Sequence, residues 1–313
     1  MICLVKSEVD TMLIQQLLET SDLFSSNEKE VAQYLLSHKE DIKSLSITDI
    51  SKETFTSPST TVRLAQKLGY NGWKELKEAF YDEIRYLESH FTEIDPNIPF
   101  SQKNTMQDIS GIIASLLKNS IDDTHDLLEH DALQKTVLAL NQADNIYIFA
   151  ITNTASITYD FQYKMKYLYK KVHIVDNPEL FAFTIPTIKK NDCCLMISYS
   201  GETFNIFHLD VLLKNRPFKA ISITSIGDNS LLHMTDYHLY ISTREKLSSK
   251  IGHYVSNESI HYILDVLYSC LFSLNYKDNL DSKLALTKII DSDRSSSTSI
   301  LQENDIDKKS YND

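Results

Sequence analysis

The first 90 residues place apolar positions at the spacing of amphipathic helices. Ser25 and Glu28 have the spacing of a capping box, which marks a helix start. They precede an apolar stripe that includes Val31 and Leu35. The pattern predicts an all-helical domain over residues 1–90.

Two consecutive helices in this region carry clear boundary signals. Ser46 has the position of an N-cap for a short first helix. After a tight connection, Ser57 and Pro58 match an N-cap followed by the first helical position, and Gly69 matches a C-terminal stop. A short helix, a tight connection and a second capped helix form a helix-turn-helix arrangement.

The second helix of this pair is predicted to bury Val62, Ala65 and Leu68 and to expose a face of short hydroxyls and cations. Short hydroxyls near a helix start can reach phosphates or base edges in the major groove, and an arginine can fork onto guanine. The predicted DNA-binding residues are Ser57, Ser59, Thr60, Thr61, Arg63, Lys67, Lys74 and Lys77. The alternative is a plain helical hairpin with a solvated polar face.

The helical spacing is interrupted at residues 91–105, which contain Pro96 and Pro99 and are predicted to be a linker. Helical spacing resumes at residues 106–143, and short apolar runs then alternate with helical stretches, which is typical of parallel βαβ units. Strands are predicted at 145–151, 172–175, after Asp192, at 219–224 and at 237–241, followed by a long helix at 255–274 that could form a dimer interface or cover the sheet. Residues 106–280 are predicted to form this second domain, with one or two more helical turns at 282–290. Residues 291–313 are too polar to bury a core and are predicted to be disordered.

The third predicted strand ends abruptly in the sequence Ser198-Tyr199-Ser200-Gly201-Glu202-Thr203, and a helix is predicted over residues 203–213. A strand-to-helix turn with a glycine and short hydroxyls suits an anion such as a phosphate ester, because free N–H groups lie at the helix start. The alternative is that Ser200 and Thr203 only cap the helix. Parallel strands gather their carboxyl ends at one edge, so the turns 151–156, 198–203 and 224–229 are expected to converge.

Composition narrows the possible functions. A length of 313 residues suggests two domains, and the net charge of −12 requires any nucleic-acid contact to come from a local basic patch. The four cysteines show no CxxC pair, which favours a reducing compartment. No signal peptide and no apolar run of membrane length are present, so a cytoplasmic location is predicted.

Two stretches resemble known families. The Ser-x-Ser-Gly-x-Thr core at residues 198–203 is similar to the central motif of the SIS (sugar isomerase) domain, and residues 57–77 resemble the DNA-binding domain of RpiR-type bacterial transcriptional regulators. The resemblance implies an N-terminal helix-turn-helix domain followed by an α/β SIS domain, a five-stranded parallel sheet flanked by helices. It also implies a homodimer or higher homo-oligomer, an inverted-repeat operator in duplex DNA and a phosphosugar effector. The implied ligand-binding residues are Thr154, Ser198, Ser200, Gly201, Glu202 and Thr203.

One turn departs from the family pattern. The family usually carries a Gly-x-Gly-x-Ser-like run after the first strand, whereas this chain has Ala150-Ile151-Thr152-Asn153-Thr154. This departure leaves open a SIS domain that only dimerises. A second alternative is a phosphosugar isomerase with Glu202 as its base, because the SIS fold that the chain resembles supports such an activity. The ten histidines show no HExxH spacing and no nucleophile motif is present, so we assign no metal, cofactor or catalytic residue.

Overall fold

The computed structural model describes residues 14–20, 24–89 and 94–290. The predicted disordered tail, residues 291–313, lies outside the described residues. The N-terminal region is helical, as expected. Its α-helices are α1 (Ile14–Thr20), α2 (Ser26–Ser37), α3 (Ile47–Glu53), α4 (Pro58–Lys67) and α5 (Trp73–Ser89).

These helices share one apolar core. Leu35 of α2, Ile50 of α3, Leu64 of α4 and Leu76 of α5 are completely buried in it. Each side chain of this kind contributes about 1.5–3 kcal/mol when it leaves water. The packing of α3 and α4 against α2 and α5 therefore fixes the helix-turn-helix pair as one unit.

The prediction of which face α4 buries is wrong at three positions. Thr60 and Thr61 are buried and Val62 is only half-buried, whereas Leu64 is completely buried. Residues 61, 64, 65 and 68 follow the spacing of one helix face, and Val62 lies about 100° away from residue 61. Helical spacing therefore decides which of these side chains are buried, in spite of the greater apolarity of valine.

The second region contains a five-stranded parallel sheet in the order β2-β1-β3-β4-β5, which confirms the predicted fold. Its strands are β1 (Asn145–Phe149), β2 (Lys171–Val175), β3 (Cys193–Ser198), β4 (Lys219–Ser225) and β5 (Tyr237–Ile241). Its α-helices are α6 (Met106–Asp126), α7 (His130–Gln142), α8 (Thr152–Met165), α9 (Phe181–Thr184), α10 (Thr203–Ile206), α11 (Asp210–Lys214), α12 (Tyr254–Leu274) and α13 (Tyr276–Ile290).

Both faces of the sheet are covered, as a parallel sheet requires. Ile148 and Leu195 pack on one face against Ile263 and Leu267 of α12, so this long helix covers the sheet. On the other face, Phe149 and Met196 pack with Phe181 and Phe204. Every residue of the central strand β3 is buried.

Two helix predictions need correction. The single helix expected over residues 203–213 is two short helices, α10 and α11, because His208 has a left-handed backbone with φ of 51°. No glycine or proline marks this break. The last helix is longer than expected, since α13 begins at Tyr276 rather than at residue 282.

The predicted linker is partly anchored to the sheet domain. Asn97 is buried, its side-chain Oδ1 accepts a hydrogen bond from the backbone N–H of Lys246 (2.6 Å), and its carbonyl accepts one from Ile251 (2.8 Å). Among the described residues, no helix has both the length and the apolarity needed to cross a bilayer.

The anchoring of Asn97 makes a prediction for limited proteolysis. Mild digestion is expected to leave a protected C-terminal fragment that retains residues 95–105, because backbone bonded into a domain resists cleavage. N-terminal sequencing of the fragment gives its start. A protected fragment that begins between residues 98 and 105 would contradict the anchoring.

Candidate functional site

Local capping defines the helix-turn-helix pair. The hydroxyl of Ser46 accepts from the N–H of Asp49 at 3.2 Å, which completes a capping box at the start of α3. Pro58 is the first residue of α4. At the other end, Gly69 takes a φ of 87° and the N–H of Tyr70 donates to the carbonyl of Ala65 at 3.0 Å. The predicted boundaries of α4 are confirmed.

The exposed start of α4 carries a small polar cluster. The hydroxyls of Ser57 and Ser59 lie 2.7 Å apart, and both residues are exposed. Arg63 is exposed one turn further on, and its Nη2 lies 3.4 Å from the hydroxyl of Thr60. Thr60 and Thr61 were expected on this surface, but they are 1% and 0% exposed, so their side chains are not presented to a partner.

Lys67 is engaged within the domain. Its ammonium lies 2.7 Å from the Glu28 carboxylate, whose side chain is only 3% exposed and also accepts from the N–H and hydroxyl of Ser25. Burial alone would raise the pKa of Glu28, but the bonds from Lys67 and Ser25 outweigh it and leave that pKa below its usual value. This ion pair ties α4 to α2.

Of the two lysines predicted on α5, Lys77 is half-buried and donates to the carbonyls of Lys43 (3.3 Å) and Leu45 (3.4 Å). Lys74 is exposed. Arg63 and Lys74 are therefore the cations of the predicted set that this surface offers most freely to an anionic partner.

Phe55, in the turn between α3 and α4, was not among the predicted DNA-binding residues. Its side chain is 96% exposed, and its backbone has a φ of 52°. A left-handed conformation disfavours a bulky side chain, so no sequence rule would have placed a phenylalanine in this turn.

A cleft of about 160 Å³ lies at the carboxyl edge of the sheet. Three segments line it: the turn after β1 with Thr152 and Thr154, the motif turn with Ser198, Ser200 and Thr203, and the segment after β5. The predicted convergence of the first two turns is confirmed. The third predicted turn, 224–229, also meets the motif turn as predicted, since the N–H of Ser225 donates to the carbonyl of Tyr199 at 3.2 Å, but it does not line the cleft.

The hydroxyls of the motif turn bond mainly within the turn. Ser198 Oγ accepts from the N–H of Gly201 at 3.1 Å and lies 2.9 Å from Thr203 Oγ1, and Ser200 Oγ accepts from the N–H of Glu202 at 3.2 Å. Ser200 also lines the cleft, so its hydroxyl can donate to a ligand there. Since α10 has only four residues, its dipole is weaker than that of the longer helix expected here.

Gly201 is required by close packing. Its φ is 70°, and a Cβ at this position would lie 2.0 Å from Oδ1 of Asn229. The glycine was expected to allow close approach of a ligand, but the group that approaches it in the structure is the buried side chain of Asn229.

Glu202 is hydrogen-bonded to the loop that follows β4. Its carboxylate accepts from the N–H (2.8 Å) and the hydroxyl (2.6 Å) of Ser230. Burial would raise its pKa, but the bonds from Ser230 outweigh that and leave the pKa of Glu202 below its usual value. A carboxylate held in its charged form by two donors is a poor general base.

The start of α8 supplies the electrostatics that the motif turn lacks. This helix has 14 residues, and the side chain of its N-cap residue, Ile151, makes no capping bond. Thr154 donates its hydroxyl to the carbonyl of Ile151 at 2.6 Å, so it does not cover the free N–H groups. Thr152 keeps a φ of 52°, which is the conformation a glycine would take without strain.

The segment after β5 contains cleft residues that were not among the predicted ligand-binding residues. It brings Lys250, His253 and Ser256 to the cleft wall. Lys250 has a side chain only 5% exposed, forms an ion pair with Glu245 at 2.9 Å and lies 5.0 Å from the ring centroid of Tyr199. No local motif marks these residues, although the topology implies them because β5 ends at the same edge.

A second, larger cleft of about 370 Å³ lies at the opposite edge, where Lys135, Lys219 and Tyr237 contribute to its wall. Ligands of open parallel sheets bind at the carboxyl edge. The smaller cleft is therefore the candidate ligand site.

The described residues include one group with the spacing of metal ligands, Asp160, His261 and Asp265. The ammonium of Lys164 bonds to both carboxylates, at 2.6 Å from Asp160. Its hydrogen bond lowers the pKa of Asp160. A cation of the chain itself thus occupies the position a metal would need.

Comparison with known proteins identifies both regions. Residues 139–269 match the SIS domain, which makes the sheet region a SIS-domain unit. Residues 11–86 match the helix-turn-helix domain of the rpiR family. The chain therefore carries a helix-turn-helix domain of the rpiR family followed by a SIS domain, the organisation of the RpiR-type bacterial transcriptional regulators that it resembles.

Individual relatives agree with this assignment. An uncharacterized HTH-type transcriptional regulator of Caldanaerobacter subterraneus is 25% identical over 87% of this chain and 96% of its own length. The Vibrio vulnificus NanR protein complexed with ManNAc-6P matches with a TM-score of 0.56 and 22% identity, over 90% of this chain and 100% of that chain. A putative sugar-phosphate isomerase from Listeria monocytogenes matches with a TM-score of 0.51 and 18% identity, over 58% of this chain and 98% of that chain. At these identities the two structures support the fold alone.

The packing of Gly201 predicts a large loss of stability on substitution. Gly201→Ala is expected to lower the free energy of unfolding by about 3 kcal/mol, because it adds left-handed strain to a clash with Asn229. Gly111→Ala is the matched control, since Gly111 lies within α6 with no atom near its would-be Cβ, and it should raise stability by about 1 kcal/mol. Urea denaturation measures both. Parental stability of Gly201→Ala would contradict the packing argument.

Proposed function

We propose that this protein is a DNA-binding transcriptional regulator of carbohydrate metabolism, whose DNA affinity is modulated by a phosphosugar bound at the carboxyl edge of the SIS sheet. The observation that carries the proposal is the presence, on one chain, of an exposed Ser57, Ser59 and Arg63 surface on a helix-turn-helix pair and of a cleft formed by a SIS motif turn. We place its action in the cytoplasm.

DNA recognition rests on α4. Ser57, Ser59 and Arg63 lie at and after its N-terminus, which is the part of a recognition helix that meets base edges. Lys74 would contact a phosphate. A homodimer or higher homo-oligomer would present two such helices, so the operator is an inverted repeat with half-sites about one helical turn apart. We keep 1–90 as the DNA-binding domain and assign residues 94–105 to the SIS side.

Phosphosugar binding rests on three groups that face one cleft. The free N–H groups at the start of α8 attract a phosphate, and Ser200 can donate its hydroxyl. Lys250 adds a cation at the cleft wall. The NanR protein, a structural neighbour, is complexed with ManNAc-6P, which supports a phosphosugar as the ligand class.

Two alternatives have specific observations behind them. A phosphosugar isomerase is favoured by the likeness to a putative sugar-phosphate isomerase, but Glu202, its expected base, is bonded to Ser230. A SIS domain that only dimerises is favoured by the small cleft, about 160 Å³ against the roughly 300–1,000 Å³ of typical ligand pockets. The regulator homologue favours a non-enzymatic role.

Arg63→Ala is expected to weaken binding to a selected operator duplex by about 1–3 kcal/mol and to relax specificity at the contacted position. Gln66→Ala, on an exposed position of the same helix, is the control and should bind like the parent. Gel shifts at two salt concentrations separate base contacts from phosphate contacts. If Arg63→Ala matched the parent on the selected duplex, α4 would not be the reading helix.

A phosphosugar is expected to raise the melting temperature of the parent, by a stabilisation of about 2.7 kcal/mol at a hundredfold excess over Kd. A thermal-shift panel of hexose and pentose phosphates that includes ManNAc-6P tests this. Ser200→Ala/Thr203→Ala should abolish the shift, whereas Ser273→Ala, an exposed serine of α12, should preserve it.

The panel also distinguishes the alternatives. No shift with any phosphosugar, with DNA binding intact, would leave the SIS domain as a dimerisation unit. Turnover of a phosphosugar that is lost in Glu202→Gln would establish the isomerase.

A further inference from the structure

The segment after β5, residues 245–256, touches the cleft on one side and the connecting segment, residues 94–105, on the other. We call residues 245–256 the strap. Its cleft side carries Lys250, and its other side holds Asn97. The connecting segment follows the DNA-binding domain and precedes the SIS domain in the chain. The strap therefore contacts both the proposed ligand cleft and the segment that leads to the DNA-binding domain.

A buried carboxylate organises the strap. The Glu245 side chain is completely buried and accepts from Lys250 Nζ (2.9 Å), the N–H of Val255 (2.7 Å) and the hydroxyl of Ser256 (2.7 Å). Removing one partner of a buried ion pair leaves an uncompensated charge, which strongly destabilises the arrangement that contains it.

The strap is also bonded to the ligand motif. The hydroxyl of Tyr199 donates to the carbonyl of Glu245 at 2.7 Å and accepts from its N–H at 2.9 Å. Tyr199 lies between Ser198 and Ser200, so a change in the motif turn reaches the backbone of Glu245 directly.

The other side of the strap is hydrogen-bonded to the connecting segment. Asn97 accepts from the N–H of Lys246 through Oδ1 (2.6 Å) and from that of Ile251 through its carbonyl (2.8 Å). Asp95 orients the Asn97 side chain, because its Oδ1 accepts from the Nδ2 of Asn97 at 3.0 Å.

We propose that the strap transmits the state of the cleft to the connecting segment, with Asn97 as the positioning residue at the junction. This inference rests on the proposed function. An anion in the cleft competes with Glu245 for the Lys250 ammonium, and the strap relieves the uncompensated Glu245 charge by rearranging around Lys246 and Ile251. A ligand that favours the rearranged strap then changes the position of the DNA-binding domains.

The test needs no ligand. Lys250→Gln removes the ammonium that neutralises Glu245 and so imitates the capture of Lys250 by an anion. It is expected to change the affinity for a selected operator duplex by about 2- to 30-fold. In the Asn97→Ala background the same substitution should have little effect, and a double-mutant cycle on DNA affinity measures the difference. Asn104→Ala is the matched control, because Asn104 bonds only to Ser101 within the same segment.

Hydrogen exchange supplies a second readout that does not depend on DNA. Asn97→Ala should speed exchange at the amides of Lys246 and Ile251 by roughly tenfold, while Asn104→Ala should not. Unchanged exchange, or additive effects of Lys250→Gln and Asn97→Ala on DNA affinity, would overturn the proposal. If the parent protein bound no DNA, that result would count against the proposed function instead. The exchange rates alone would then test whether Asn97 holds the strap.

Discussion

The parallel direction of the sheet is the constraint on which the rest of the SIS domain depends. β3 is buried along its whole length and pairs with β1 and β4 in the same direction. A parallel strand cannot return through a tight hairpin, so each crossover places the next strand's carboxyl end at the same edge. The loops after β1, β3 and β5 therefore line one cleft at this edge. Binding chemistry at this edge follows from topology, and its specificity follows from what each loop carries.

The DNA-binding domain is subject to an electrostatic constraint, because a chain with a net negative charge needs a locally basic surface to bind DNA. Part of the local positive charge is used internally: Lys67 neutralises the buried Glu28, and Lys77 binds backbone carbonyls. Arg63 and Lys74 remain exposed beside short hydroxyls. Fewer phosphate contacts mean a shallower dependence on salt, and a larger share of the binding free energy then comes from contacts that read sequence.

Local chemistry explains what the sequence could predict. Caps and stops, such as Ser46, Pro58 and Gly69, act over a few residues, and the βαβ alternation fixes the sheet. The predictions were wrong where contacts with residues distant in the sequence determine the local structure. Nothing near His208 marks the break between α10 and α11, and the burial of Thr60 depends on packing against other helices. Lys250 reaches the cleft through Glu245, a partner with no sequence signature.

At Thr152 the chain departs from the family pattern in its side chain but keeps the left-handed backbone conformation that a glycine would adopt. The resemblance to SIS domains places a glycine at this position, and the chain keeps a left-handed backbone there with a β-branched residue, at a cost of about 1–2 kcal/mol. Such strain persists only where the surroundings over-determine the conformation. Here β1 fixes one side, and the Nδ2 of Asn153 donates to Oδ1 of Asn257 in α12 on the other. The start of α8 lines the cleft, and the side chain of Thr152 takes up space there that a glycine would leave open. Under the proposed function, the start of α8 would still attract a phosphate, and a cleft of about 160 Å³ would hold that phosphate with much of the sugar ring outside.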